Sequence, residues 1–142
     1  MRMRRALLVL VALLLAVPAA SVQAQSQRIP DIVGTWEAVS FAMHDTKNGF
    51  VTGDKQSATL VIKEQHGRVF SGEVNWTGKV TGNDTFSGVI DKNGEDFYFV
   101  GHKDALRLGK LEGPDAMVFY YLSSGGDNPR AGYVEYQRKQ QK

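Results

Sequence analysis

The sequence predicts an all-β fold: an eight-stranded antiparallel up-and-down β-barrel in a single domain. Three observations carry this. Past the N-terminal stretch, apolar and polar side chains alternate with period two, and turn residues recur between the alternating runs at near-regular spacing. Pro30, Pro114 and Pro129 all fall outside those runs. Period-two alternation marks a half-buried strand, and proline lacks the N–H that a ladder needs.

The elements follow in order. "VGTWEAVSFA" (Val33–Ala42) is the first strand; a long polar stretch, Met43–Gln56, follows, with a tight turn at Asn48-Gly49. "SATLVIKE" (Ser57–Glu64) is the second, turning at His66-Gly67 into "RVFSGEVNWT" (Arg68–Thr77). "GKVTGND" breaks the pattern before "TFSGVID" (Thr85–Asp91), and "KNG" turns into "EDFYFVG" (Glu95–Gly101). "LRLGKLE" (Leu106–Glu112), "AMVFYYLS" (Ala116–Ser123) and "RAGYVEYQR" (Arg130–Arg138) complete the set. Sequential antiparallel strands leave two raw edges unless the sheet closes. Eight of them close around room for core side chains or one small ligand. A two-sheet sandwich is the competitor, but it usually needs longer crossing connections, and only Met43–Gln56 is long.

Strand parity assigns the faces. Phe70, Gly72, Val74 and Trp76 share one face, as do Phe86, Gly88 and Ile90, while Ser71, Glu73 and Asn75 share the opposite one. The aromatic-glycine face is expected inside. Gly72, Gly88, Gly109 and Gly132 fall within strands, where glycine relieves crowding at the bends of a small barrel. The candidate interior is therefore Phe70, Val74, Trp76, Phe86 and Ile90, joined by Tyr98 from "DFYFV" and Tyr120 from "MVFYYL". Such a lining suits a small hydrophobic or aromatic molecule with a tyrosine hydroxyl to orient it, or it simply fills the barrel.

The ends carry an address. "MRMRR" followed by the apolar run Ala6–Val17 and small residues up to Ala24 has the pattern of a secretory signal peptide. A run of that length is too short for the roughly 20 residues that cross a bilayer. The expected division is a signal peptide at 1–24, a linker at 25–31, a barrel at 32–138 and a disordered tail at 139–142, giving an exported, periplasmic or secreted soluble protein with no membrane span. Without Arg2, Arg4 and Arg5 the balance is 14 basic against 15 acidic residues, so the net charge of +2 belongs to the leader and nucleic acid is excluded as a partner. The chain has no cysteine, so packing and strand pairing alone must hold an exported fold.

No catalytic signature is present: there is no Gly-x-Ser-x-Gly and no Ser-x-x-Lys. His44, His66 and His102 are isolated in turns without ligand-spaced partners, so no metal and no cofactor is expected. The sequons at Asn75 and Asn83 read as chance matches in an exported bacterial-looking chain. The Met43–Gln56 segment is the candidate mouth loop, with His44, Asp45, Lys47 and Asp54 available to a polar ligand or a partner protein. Two functions follow: a non-enzymatic barrel that binds a small hydrophobic or aromatic ligand inside, or an inhibitor or adaptor that grips a protein through its surface and mouth loop. "MVFYYL" has apolar residues of both parities, so its outer side is a candidate contact between subunits of a homo-oligomer.

"GTW" (Gly34–Trp36) opening the first strand, "FSGEV" and "FSGVIDKNG" together resemble the avidins, and the Gly-x-Trp also resembles the lipocalins, two families of calycin-type barrel. The resemblance implies that Trp36 plugs the closed end of the barrel, and the absence of a helix after the last strand is avidin-like. It does not imply biotin binding. Where avidins place polar first-strand residues this chain has Ala38 and Ala42, and Val74 and Trp76 stand where a biotin-contacting tyrosine and hydroxyl residue would be.

Overall fold

A computed structural model describes residues 28–54, 56–103, 106–124 and 127–140; the expected signal peptide lies outside the described residues. The strands are β1 (Gly34–Asp45), β2 (Gly49–Thr52), β3 (Gln56–His66), β4 (Val69–Gly78), β5 (Gly82–Ile90), β6 (Asp96–Gly101), β7 (Leu106–Leu111), β8 (Ala116–Ser123) and β9 (Arg130–Arg138). All pairings are antiparallel, neighbours follow chain order from β3 to β9, and β1 pairs with both β3 and β9. The sheet is thus a closed eight-stranded barrel of β1 and β3–β9, as the alternation predicts.

The ninth strand, β2, is the departure. Met43–Gln56, expected to be a mouth loop with a tight turn at Asn48-Gly49, does turn there but is largely strand: β1 runs on to Asp45 and folds back, pairing Ala42–Asp45 with Gly49–Thr52. β3 meets β1 only along Gly34–Glu37, so β2 takes the place beside β1 that β3 leaves empty towards the mouth. Lys139, assigned by sequence to the tail, extends the ladder by donating from its N–H to Thr35 O at 2.8 Å. Bulges at Ala38/Ser40 and Ile62/Glu64 sharpen the coil of β1 and β3.

Pairing of β4 with β5 explains the repeated Phe-Ser-Gly. The antiparallel register sets Phe70 opposite Gly88, Ser71 opposite Ser87 and Gly72 opposite Phe86. Each phenyl ring lies over the other strand's glycine: a Cβ on Gly88 would overlap the Phe70 ring, and one on Gly72 would come within 2.7 Å of Phe86 Cζ. The same device recurs one hairpin on, with Phe97 paired to Gly109 and its ring filling that glycine's missing side chain. These glycines are places for rings as well as points of bending.

The rings meet in the barrel as one column. Phe70 contacts Phe86, Phe97 and Phe99 at centroid distances of 6.1–6.2 Å; Phe99 meets Phe119 edge-on at 5.2 Å, and Phe119 stacks on Tyr136 at 4.9 Å. Trp36, fully buried, closes the bottom. Its indole N–H donates to Ile32 O at 3.1 Å, and Arg138 lies 4.3 Å above its ring. Arg138 also donates to Val33 O and Asp31 O, while the Gln65 amide binds Ile32 N and Pro30 O, so the segment ahead of β1 is strapped across this end.

Candidate functional site

The open half of the barrel holds a cavity of about 140 Å³. β1 contributes Phe41 and Met43, β4 contributes Val74 and Trp76, and β8 and β9 contribute Phe119, Tyr121, Val134 and Tyr136. Phe119 and Tyr136 form its floor at the top of the aromatic column, since they are the last rings of the stack. A cavity of this size exceeds a water molecule severalfold and is comparable to engineered apolar cavities, about 150 Å³, that take up benzene.

The wall is not uniformly apolar, and here the structure corrects the expected lining. Arg107, from β7, faces the cavity while almost fully buried. Its guanidinium carbon sits 5.4 Å from the Phe99 ring centroid, and its Nη1 lies 3.9 Å from Oδ2 of Asp84, which is also buried. Gly101 makes room for this pair, because a Cβ there would overlap both groups. A buried ion pair of this kind orients a cation more than it stabilises the fold. Asp45, Asn48, Asn128 and Arg130 ring the upper wall. Burial pushes the Tyr121 and Tyr136 hydroxyls far above the ordinary tyrosine range, with Arg107 pulling the other way on both and Arg130 on Tyr121. Both remain neutral donors at any physiological pH.

Gln56 lines the wall but is committed: its amide donates to Val80 O at 2.6 Å and accepts from Val80 N at 3.1 Å, pinning the β4–β5 connection. Asp45 is committed likewise. Its Oδ1 accepts from Lys47 N at 2.8 Å and Asn48 N at 2.6 Å, and the Asn48 side chain binds both oxygens. Burial would raise its pKa, but these hydrogen bonds and one from Asn128 outweigh it, and the pKa falls below the ordinary 3.8. A carboxyl that ionises more readily when folded adds stability in full above about pH 4, and loses it as pH drops through the depressed folded value. Asp45→Ala is therefore expected to cost roughly 1–3 kcal/mol at pH 7. Denaturant titrations at pH 7 and pH 3 should show the penalty shrinking on acidification; an equal penalty at both would contradict the assignment.

The other expected site residues divide by position. Val74 and Trp76 line the cavity, whereas Phe70, Phe86 and Ile90 are buried below it in the filled half. Tyr98 and Tyr120 do not point inward: they are 40% and 51% exposed on the outer face. The reason is parity. In "DFYFV" the inward residues are Phe97 and Phe99, and in "MVFYYL" Met117, Phe119 and Tyr121. The outward Tyr98 hydroxyl donates to Asp91 at 3.1 Å, and that bond raises its pKa. At the mouth, His44 is exposed and meets the Phe50 ring at a tilt of 59° with centroids 4.7 Å apart, Lys47 is exposed, and Asp54 accepts from the Thr52 hydroxyl in the β2–β3 turn. Of these only Asp45 reaches the cavity. Among the described residues, no group of three or more histidine, cysteine, aspartate or glutamate side chains is placed to hold a metal ion.

Sequence reasoning missed Arg107 and Arg130. The signal for Arg107 was its parity in "LRLGKL", where it alternates against the outward Leu106 and Leu108.

Fold and site together define a class: a closed antiparallel β-barrel, filled at one end and hollow at the other. No known protein family and no curated protein matches the sequence. Among solved structures the chain is similar to a redesigned beta barrel, with a TM-score of 0.50 and 13% identity over 79% of this chain and 92% of that one. It also aligns with the S-type phycobiliprotein lyase CPES from Guillardia theta, with a TM-score of 0.37 and 12% identity over 78% of this chain and 90% of that one. The likeness to the redesigned barrel is one of fold alone, and the avidin and lipocalin resemblance stays at the level of barrel type.

Proposed function

We propose that the protein is an exported, non-enzymatic binding protein that holds one small aromatic molecule in the open half of its barrel. The observation that carries this is the cavity itself: about 140 Å³, walled by aromatic side chains and faced by the buried Arg107 guanidinium. The polar groups aimed at it are rich in donors. An arginine carries five N–H groups and a neutral tyrosine one, whereas the Asp45 oxygens are occupied by their own turn. The ligand class that fits is a single aromatic ring bearing a carbonyl or carboxylate acceptor.

Titration of tryptophan fluorescence with benzoate and with toluene tests this, because Trp76 stands in the cavity wall. Benzoate is expected to bind about tenfold or more tightly than toluene. Ala58 lines the same cavity from β3, and Ala58→Phe should fill it and abolish both responses without lowering the melting temperature. If neither compound alters fluorescence or melting up to millimolar concentration, the reading fails. The inhibitor or adaptor reading draws on one feature, Phe50, 81% exposed on the β1–β2 hairpin. It leaves the cavity without a role, so the same titration separates the two.

A further inference from the structure

The outer face of β5–β9 carries an apolar surface that the interior site does not use. Register sets Val89, Tyr98, Leu108, Tyr120 and Tyr133 directly opposite one another across these five strands. Two residues further towards the mouth, Val100, Leu106 and Leu122 form a second row across β6–β8. Every one of the eight keeps at least 36% of its surface exposed. Polar groups border the patch: Asp96, Lys110 and Glu135 lie one step below in register, and the Ser87–His102 pair lies above.

We propose that this face is the contact between two copies of the chain in a two-fold symmetric dimer. Three features favour a second copy. At 36–51% exposure each, the eight residues leave on the order of 700 Å² open, somewhat above the roughly 300–600 Å² of the largest patch on a typical monomer and close to the ~800 Å² per partner of a standard stable interface. None of the eight is charged, so nothing in the patch selects an acidic or basic partner, whereas an apolar sheet face is complementary to itself. The patch is a small apolar centre with tyrosines and a polar rim, the anatomy of a protein–protein contact, and two such faces pack as aligned sheets. Each barrel keeps its own mouth, because the patch lies on the side wall.

A two-fold contact counts every substitution twice. Sedimentation equilibrium of the purified protein is expected to give twice the monomer mass at about 50 µM, a concentration well above the micromolar dissociation constants typical of modest interfaces. Leu108→Lys and Tyr120→Lys, each on an already exposed side chain, should weaken the association by about 100-fold or more while leaving the melting temperature of the monomer unchanged. A larger assembly dispersed by the same substitutions also supports the face. A monomeric wild-type protein, including one that instead cosediments with neutral lipid vesicles or pairs with another protein, overturns the proposal. So does a dimer that both substitutions leave intact. Benzoate binding is read separately, so failure of one proposal leaves the other standing.

Discussion

Gly88→Ala is expected to destabilise the protein by about 2–3 kcal/mol, although it adds a single methyl group. An alanine Cβ at this position would overlap the Phe70 ring and approach Phe99 Cβ to 2.7 Å, in the middle of a paired strand. The neighbours have little space to yield: Phe70 is wedged among Phe86, Phe97 and Phe99. The penalty therefore belongs to the pair and not to glycine alone. In a Phe70→Leu background the alanine methyl finds the space the ring has vacated, so the same substitution should cost at least 1 kcal/mol less, within the range of coupling seen between residues in contact. Four denaturant titrations complete the cycle, compared at constant slope against denaturant. Strict additivity would show that Gly88 is needed for backbone bending and not as the seat of the Phe70 ring.

Trp36→Ala carries the other large expected effect, about 3–5 kcal/mol. Trp36 is fully buried at the closed end, between Arg138 above its ring and the Ile32 carbonyl that its N–H binds. Removing it leaves a void that the strap at residues 30–33 cannot fill, because Gln65 and Arg138 tie that strap from outside. The loss is at least a fifth of the roughly 5–15 kcal/mol typical of a small domain, and all of it at the low end. Trp36→Phe keeps the bulk and loses the hydrogen bond, so it should cost only about 1–2 kcal/mol more than zero. A penalty below 1 kcal/mol for Trp36→Ala, measured by equilibrium unfolding, would show that the barrel end is closed by the strap and not by the indole.

How far the sequence could be read depended on what kind of information each feature needed. The barrel was legible because period-two alternation is local: every strand states its own parity, and eight of them in series leave closure as the way to remove both edges. Interior positions on β4 and β5 were legible for the same reason. Tyr98 and Tyr120 were misassigned because both stand in runs with apolar residues at both parities, where local pattern cannot tell inside from outside. The turn of the β1–β2 hairpin was legible at Asn48-Gly49, but its strand pairing and burial were not, because "GFVT" is only four residues long and its stability comes from Asp45 capping the turn and Val51 being buried.

The sequence by itself determined a β-sheet architecture, the strand order and the face of most strands, because these follow from side-chain alternation and turn chemistry along the chain. Only the tertiary structure decided which end of the barrel is full and which is hollow. That outcome depends on five phenylalanines stacking below Tyr136 from four different strands, while Arg107 and Asp84, far apart in sequence, meet above them beside a glycine. Volume and charge in an enclosed space are sums over strands that meet only when the sheet closes, and no single stretch of chain contains them.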